Sequence, residues 1–231
     1  MAAGAAPVGD TQAHASGDTS AHGPVVVLVV AHPRPDSLNH ALARRLGDAV
    51  ARAGGRLVAH DLHAEGFDPV LRAEESYVVG RDLHLGGPSG DPLLDRHRAD
   101  LAVADALVVV HPVWWGMPPA ILAGWLDRVL VPGVAYRLPD AGGLPERLLA
   151  IRRLVVVNTT DTPAEREATV FGDPLAAIWE RCVGTYLGSA TSPTLVERTV
   201  LASVNEVDDA QRARWLDEMD GLGSRLVRAL V

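Results

Sequence analysis

The chain has 231 residues, of which 48% are hydrophobic, and its formal net charge is −8. This size and composition predict one globular domain, and the acidic balance argues against a protein that binds nucleic-acid phosphates. All 21 basic residues are arginine, which excludes a lysine Schiff base, a pyridoxal-phosphate site and a P-loop. Cys182 is the only cysteine, so no internal disulfide is possible, and we expect a cytoplasmic location.

The first part of the chain differs in composition from the rest. Residues 1–23 are mostly small and polar and show no period, which predicts a disordered arm ahead of a domain spanning residues 24–231. No apolar run approaches the length of about 20 residues that crosses a membrane, so we expect no stable membrane insertion. The arm also lacks the basic start and apolar centre of a secretory signal.

The domain begins with a predicted buried strand, Val25–Val30, followed by a proline-containing loop and an amphipathic helix. Ser37 or Asn39 can cap this helix, and Gly54 and Gly55 end it. The free N–H groups of a helix amino terminus attract anions. The loop over residues 32–39 is therefore either a phosphate cradle or an ordinary strand-to-helix turn.

Residues 56–60 predict a second short strand, which leads into a polar and partly helical excursion over residues 72–99. Four histidines lie in or near this part of the chain: His60, His63, His84 and His97. None of them has a partner at a spacing typical of zinc. We therefore expect no metal site.

The middle of the chain predicts a strand, a turn and a helix in succession. Ala106–Val110 is a continuous apolar run, as in a strand that is buried on both faces. Pro118 and Pro119 suit a first helical turn, where a missing N–H does no harm. The apolar spacing that follows predicts that Asp127 and Arg128 face solvent.

Two adjacent tryptophans, Trp114 and Trp115, lie in the turn between that strand and helix. Most tryptophans belong to a core, but neighbouring side chains diverge, so one of these rings should meet solvent or a ligand. A flat apolar surface beside backbone N–H groups suits a large planar heterocycle. Core packing and ligand contact both remain open for this pair.

The remaining sequence again alternates strands and helices. Residues 132–149 predict a loop, and strands are predicted at Leu154–Val157 and Thr194–Leu201. Helices are predicted at Leu175–Tyr186 and Asp208–Leu230. This alternation predicts an α/β fold with a doubly wound parallel sheet of five strands in the flavodoxin-like order 2-1-3-4-5. Ligands bind such sheets at the carboxyl ends of strands 1 and 3, where the strand order reverses.

The motifs in these loops resemble the NAD(P)H:quinone oxidoreductase family, the DT-diaphorase-like flavoproteins. The resemblance rests on AHP and DSLNHAL after the first strand, on DLHAEGFDPVL, and above all on HPVWWGMPPAILAGWLDRVL followed by GVAY. It covers roughly residues 25–183. It implies a tightly bound flavin, usually FAD with FMN as the alternative, and a homodimer whose active sites lie at the subunit interface.

The resemblance also assigns residues to the three loops. The loop that matches the family's phosphate-binding loop contains His32, Ser37, Leu38 and Asn39. The loop that matches the one along the isoalloxazine ring contains Pro112, Val113, Trp114, Trp115 and Gly116. The third flavin loop begins with Asn158, Thr159 and Thr160 and continues with Asp161 and Thr162.

This sequence departs from the family pattern in the third loop. A glycine-rich run commonly follows the two threonines, but Asp161-Thr162-Pro163 stands here. The tyrosine and histidine of the mammalian-type active site have no counterparts, and Phe171 stands where the histidine would be. The proton donor is therefore not assigned by the resemblance.

The function implied is hydride transfer from NAD(P)H through flavin N5 to a quinone or a similar planar acceptor, with the protein supplying orientation and polarisation. Backbone N–H groups of Trp115 and Gly116 would bond near N5 and O4 of the ring. Donors from Thr159 to Thr162 would stabilise the charge that develops at N1 and O2.

Three alternatives share this fold. One is a reductase of a nitro, azo or biosynthetic substrate, which the sequence does not separate from a quinone reductase. Another is a flavin-binding regulatory subunit of a transport system, which would have a membrane partner and slow turnover alone. The third is a flavodoxin-type electron carrier, against which the proline-containing first loop and the WWGMPPAIL segment argue.

Overall fold

In this computed structural model, residues 23–76, 86–139 and 143–231 are described. The predicted arm over residues 1–23 therefore lies outside the described residues, except for Gly23. His84 and part of the predicted 72–99 excursion lie outside them as well. None of the described helices is both long and apolar enough to cross a bilayer.

Seven strands form in the described residues, and five of them make one parallel sheet. In chain order they are β1 (Val25–Val30), β2 (Arg56–Asp61), β3 (Ala106–Pro112), β4 (Tyr136–Arg137), β5 (Glu146–Arg147), β6 (Arg153–Thr159) and β7 (Leu195–Leu201). The sheet order is β2-β1-β3-β6-β7, and every neighbouring pair is parallel. The predicted α/β fold with a five-stranded parallel sheet is confirmed.

The predicted strand numbering 2-1-3-4-5 is wrong, because two short strands were predicted as part of a loop. β4 and β5 pair antiparallel with each other in a separate hairpin, with Tyr136 opposite Arg147. They precede the last two sheet strands in the chain, so those two strands are β6 and β7 rather than the predicted fourth and fifth. β4 and β5 do not enter the sheet. The five predicted strands keep their predicted places relative to one another, so the reversal of strand order still lies between β1 and β3.

Among the described residues, seven α-helical segments lie between or after the strands. They are α1 (Leu38–Arg52), α2 (Pro92–Ala102), α3 (Ala120–Val129), α4 (Ala164–Arg166), α5 (Pro174–Ala176), α6 (Gly184–Leu187) and α7 (Asp209–Arg228). The helix predicted at Leu175–Tyr186 is α5 and α6 joined by the π-helical turns of Ala177–Val183. Similar turns at Glu167–Phe171 follow α4. Of the predicted 72–99 excursion, a 3-10 turn at Ala73–Glu75 and most of α2 are described.

The three central strands, β1, β3 and β6, are buried on both faces, as their valine-rich sequences require. On one face α1 and α7 pack together over the strands through Leu42, Leu46, Trp215 and Met219. The opposite face is covered by α2, α3 and the segments after β6, with Trp125 and Trp179 as its largest buried side chains. Because the five sheet strands are all parallel, their carboxyl ends lie at one edge of this three-layer body.

Two details of α3 correct the sequence prediction. Pro118 and Pro119 precede the helix, and Pro119 is its N-cap residue, since Pro119 has an extended ψ of 147°. Arg128 is fully buried rather than exposed. Its guanidinium donates to both carboxylate oxygens of Glu75, each at 2.9 Å, and to the carbonyl of Asp68 at 2.6 Å. These acceptors come from a distant segment, so helical spacing alone could not reveal them.

Candidate functional site

A cavity of about 280 Å³ opens at the carboxyl ends of β1, β3 and β6. It is lined by three of the predicted loops together with residues that precede and begin α7. The lining comprises His32, Arg34, Ser37, Leu38, Asn39, Pro112, Val113, Trp114, Thr159, Thr160, Asp161, Val204, Asn205 and Arg212. The strand order thus brings together the loops that the sequence predicted would converge.

The first and third loops are joined by a buried side-chain pair. Asn39 Nδ2 donates to Thr159 Oγ1 at 2.9 Å, and the Thr159 hydroxyl lies 3.3 Å from Asn39 Oδ1. Asn205 Nδ2 donates to Asp161 Oδ1 at 2.8 Å and ties the third loop to the segment before α7. These contacts fix the polar walls of the cavity relative to each other.

Ser37 begins α1 and connects the cavity to two further polar groups. Its Oγ accepts from the backbone N–H of His40 at 3.3 Å, which caps the helix, and lies 2.9 Å from His40 Nδ1. His40 Nε2 lies 2.8 Å from Asp61 Oδ2 at the end of β2. A chain of hydrogen bonds therefore runs from β2 to the cavity lining.

Charged side chains of both signs line the cavity, namely two arginines and one carboxylate, Asp161. Arg34 and Arg212 both line it. Arg212 is held by the Asp209 carboxylate at 2.8 Å and the carbonyl of Val204 at 3.3 Å. His32 accepts from the backbone N–H of Arg34 at 3.1 Å, and partial burial lowers the pKa of His32. His32 is therefore a neutral donor through Nε2 near neutral pH.

The aromatic turn is a tight hairpin beside the cavity. Trp114 and Met117 exchange two backbone hydrogen bonds of 3.1 and 3.0 Å across the Trp115–Gly116 pair. Trp115 has a φ of +56°, which is costly for a bulky residue, and its side chain is 96% exposed. The strained backbone aims this ring away from the core. Trp114 instead lies near the His32 ring, with centroids 6.0 Å apart.

A second cavity, of about 350 Å³, adjoins this hairpin. Its lining comprises Val113, Trp114, Trp115, Thr160, Asp161 and Thr162. The two cavities share Val113, Trp114, Thr160 and Asp161, so they are neighbouring compartments of one cleft. One compartment is rich in arginine and the other presents an indole surface.

A buried polar cluster supports the cleft from below. His111 Nε2 accepts from Asn158 Nδ2 at 2.8 Å and from Trp179 Nε1 at 3.1 Å, and all three residues are fully buried. Burial lowers the pKa of His111 to about 4. The neutral imidazole must carry its proton on Nδ1, 2.9 Å from the carbonyl oxygen of Pro112. This cluster fixes the start of the aromatic loop.

Acidic groups lie behind the same hairpin. Arg198 forms a bidentate pair with Asp173, with contacts as short as 2.6 Å. A β-carbon on Gly116 would lie 2.8 Å from Cγ of Pro174, so the hairpin is in close contact with this segment. Burial raises the pKa of the Glu167 carboxyl, and the nearby Asp173 raises it further.

The donors of the arginine-rich compartment fit a phosphate-bearing ligand. Two guanidinium groups, a neutral imidazole, hydroxyls and the amino terminus of α1 are the groups that bind phosphate oxygens. The indole compartment fits a planar apolar ring. A flavin nucleotide combines both features, so the residues present fit that cofactor.

Comparison with known proteins identifies the family. The family model described as "Flavodoxin-like fold" matches residues 25–219. The ribosyldihydronicotinamide dehydrogenase [quinone] of Pongo abelii is 31% identical over 180 residues, which are 71% of this chain and 75% of the relative. The chain belongs to the flavodoxin-like family that includes the NAD(P)H:quinone oxidoreductases.

Other members of this flavodoxin-like family agree with that assignment. NAD(P)H dehydrogenase [quinone] 1 of Rattus norvegicus is 30% identical over 121 residues, covering 48% of this chain and 44% of the rat protein. The solved NAD(P)H:quinone oxidoreductase from Methanothermobacter marburgensis is 25% identical with a TM-score of 0.72. That match covers 88% of this chain and 99% of the archaeal one.

The structure of this flavodoxin-like chain does not place all the predicted site residues in the cleft. Most line the arginine-rich compartment, and Trp115 and Thr162 line the indole compartment. Asn158 does not, because it lies within β6 and its amide bonds to His111 below the cleft. Gly116 lines neither compartment and lies against Pro174. Their predicted flavin contacts stay predictions.

Four residues of the cleft were absent from the predicted set: Arg34, Val204, Asn205 and Arg212. Arg34 lies inside the predicted phosphate loop, where its charge was a usable signal. The other three come from the end of the chain. Only the fold, which places the start of α7 beside β6, brings them to the cleft.

Three side chains away from the cleft could in principle hold a metal ion. The ligand atoms of His60, Glu65 and His97 lie within 4.8 Å of one another. However, Trp125 Nε1 donates to His97 Nδ1 at 2.8 Å, so neutral His97 carries its proton on Nε2, which faces Glu65 at 3.1 Å. A metal on Nε2 would require loss of that proton. Hydrogen bonds therefore explain why these three side chains lie close together.

Proposed function

We propose that this chain is a flavin-dependent oxidoreductase that takes reducing equivalents from NAD(P)H and passes them to a quinone or a similar planar acceptor. The observation that carries the proposal is the two-compartment cleft at the switch point of the sheet. One compartment offers arginine and hydroxyl donors, and the adjoining one offers an indole surface. Family membership independently supports the same chemistry.

The residues divide their roles along the cleft. Arg34, Arg212 and the start of α1 would hold the phosphates of the cofactor. Trp114 and Thr160, which line both compartments, would lie along its ring. When bound, the flavin supplies hydride transfer, and the chain orients it and excludes water.

The cofactor proposed is FAD, with FMN as the alternative. A pyrophosphate carries two phosphate charges, and two guanidinium groups line this compartment. An FMN-bound azoreductase from Bacillus anthracis shares the fold at 13% identity, so it leaves the choice of flavin open. NADH and NADPH are both admitted as donors.

The acceptor is proposed to enter the indole compartment. Trp115 is exposed there, Met117 is exposed on the same hairpin, and Phe171 is exposed as well. Apolar side chains of this size at a cleft also favour a second copy of the chain closing it, so we propose a homodimer. We propose a cytoplasmic location as well, since NAD(P)H is an intracellular donor.

The test begins with the visible spectrum of the purified full chain, followed by anaerobic addition of NADPH. We expect a flavin absorption band at about 450 nm. The band should bleach when NADPH is added and return when a quinone is added. An azo dye in place of the quinone tests the alternative acceptor class. Chromatography of the released flavin separates FAD from FMN, and sedimentation measures the oligomeric state.

A pair of arginines in α7 provides a matched control. Arg212→Met removes a charge that lines the cleft, and it should lower flavin occupancy. Arg214→Met removes a charge that contacts only Gln211 among the described side chains, and it should leave occupancy unchanged. A colourless chain that neither takes up added flavin nor oxidises NADPH would overturn the proposed function and favour a scaffold or regulatory role.

A further inference from the structure

Ser37, His40 and Asp61 form a hydrogen-bonded chain whose proton positions are restricted by geometry. Asp61 Oδ1 accepts from the backbone N–H groups of His63 and Ala64, each at 3.1 Å, and Oδ2 faces His40 Nε2 at 2.8 Å. An ionised carboxylate only accepts, so His40 carries a proton on Nε2. The one variable position is then Nδ1, which faces Ser37.

The protonation of Nδ1 decides what Ser37 offers to the cleft. With Nδ1 bare, the Ser37 hydroxyl donates to it across 2.9 Å, and only lone pairs of Oγ remain for a ligand. With Nδ1 protonated, Oγ accepts from Nδ1 and from the backbone N–H of His40 at 3.3 Å. The hydroxyl proton is then free to point into the cleft that Ser37 lines.

We propose that His40 is a positioning residue that takes up a proton when a phosphate group binds at Ser37. An anion is repelled by the lone pairs that Ser37 presents beside a neutral His40, and it is stabilised by the O–H donor beside a cationic one. Because binding takes up a proton, the affinity for a phosphate-bearing flavin falls as pH rises. This inference rests on the proposed function, because it assumes that the phosphate belongs to a flavin.

In the described part of the chain, the charged and titratable groups that contact His40 or line a cavity with it come from three elements. Asp61 of β2 is bonded to it, and His32 of the first loop faces it edge-on with ring centroids 6.3 Å apart. Arg44 and Asp48 of α1 and His60 of β2 line a surface cavity beside it. Of these groups, only His32 also lines the arginine-rich compartment. The experiment must therefore show whether a proton taken up on binding goes to His40 or to His32.

The experiment measures proton uptake by calorimetry. The full chain, stripped of flavin, is titrated with FAD in buffers of different ionisation enthalpy. The pH is about 7.5, which is above the unperturbed pKa of a histidine side chain. We expect uptake of up to about one proton per FAD, because one imidazole responds. Riboflavin, which has no phosphate, should bind without uptake. Above about pH 7.5, the affinity for FAD should fall by up to about tenfold per pH unit.

Two histidine variants assign the proton. His40→Gln cannot titrate, so FAD should bind to it without proton uptake. His32→Gln removes the other histidine of the cleft and should keep the uptake of the parent chain. Carbon chemical shifts of the His40 ring, measured at fixed pH, should move toward the imidazolium values on addition of FAD and not of riboflavin.

The outcomes separate this inference from the proposed function. FAD that binds with equal proton uptake in the parent and in His40→Gln would overturn the role of His40 and leave flavin binding intact. Uptake that disappears in His32→Gln alone would do the same. If FAD, FMN and riboflavin all fail to bind, the proposed function and this inference are both overturned.

Discussion

Asn39 Nδ2 donates to Thr159 Oγ1 at 2.9 Å and so joins two cleft loops that lie 120 positions apart in the sequence. Both side chains are buried, so loss of one leaves the other unpaired. We expect Asn39→Ala to lower the free energy of unfolding by about 1–3 kcal/mol and to reduce flavin occupancy. Urea unfolding and flavin content per chain measure the two effects.

The control for that change is Asn205→Ala. Asn205 also lines the cleft and bonds to its third loop, but it is exposed. Its loss should change the free energy of unfolding by less than about 0.5 kcal/mol. Equal destabilisation by the two variants would contradict the structural role assigned to Asn39.

The left-handed backbone of Trp115 predicts opposite changes in stability and activity. Its φ of +56° is easy for glycine, and its exposed ring contributes little packing. Trp115→Gly should therefore raise the free energy of unfolding by up to about 1 kcal/mol while lowering turnover with planar acceptors. Trp115→Ala removes the ring and keeps the strain, so it should lose turnover without gaining stability. Unchanged turnover in both variants would show that the indole of Trp115 is not part of the acceptor site.

Arg128 is expected to be a large contributor to stability, because its guanidinium is fully buried against Glu75. Arg128→Leu leaves that carboxylate uncompensated and should cost about 3–5 kcal/mol. The exposed pair of Arg137 and Glu146 is a matched comparison, since Arg137→Leu breaks a contact of 2.6 Å that should be worth only about 0–1 kcal/mol. Thermal or urea unfolding of both variants compares the two pairs, and similar losses would contradict this account.

His111 predicts a loss of stability in acid. Burial lowers the pKa of its folded form to about 4, whereas the unfolded imidazole titrates at about 6.5, so the unfolded chain binds a proton first. Stability should be constant above about pH 6.5 and should fall between about pH 6.5 and 4. At pH 5 this histidine alone accounts for a loss of about 2 kcal/mol.

The variant that tests this is His111→Gln, whose amide oxygen can still accept from Asn158 and Trp179 and does not titrate. We expect a smaller difference in unfolding free energy between about pH 7 and pH 5 than in the parent chain. His63→Gln, at an exposed histidine, should follow the parent. An unchanged pH dependence in His111→Gln would show that other groups cause the acid sensitivity.

The sequence could predict the sheet and its switch point, because buried parallel strands are runs of valine that need no outside partner. It could not predict the ends of β3 and β6. His111 and Asn158 are polar and suggest loop, but they lie opposite each other in the sheet register, and Asn158 Nδ2 donates to His111 Nε2. Polar residues that pair across strands have no signal in the pattern of either strand.

The same reason explains the two errors about arginine. Helical spacing places Arg128 on an outer face of α3, and only the return of residues 68–75 over that face buries it. Arg212 belongs to a terminal helix whose own pattern indicates only packing against the sheet. The contacts of these charged side chains come from segments distant in sequence. The burial of an apolar side chain, in contrast, is predicted from the pattern of its own neighbours.

The cleft draws residues from positions 32–39, 112–115, 159–162 and 204–212. A chain emerging from the ribosome would therefore have to expose residue 212 before the last wall of the cleft could form. The first strand and helix would have to fold without help from a cofactor, and capture of the cofactor would come after synthesis. Limited supply of the cofactor in a cell should then leave a folded, empty protein rather than a stalled nascent one.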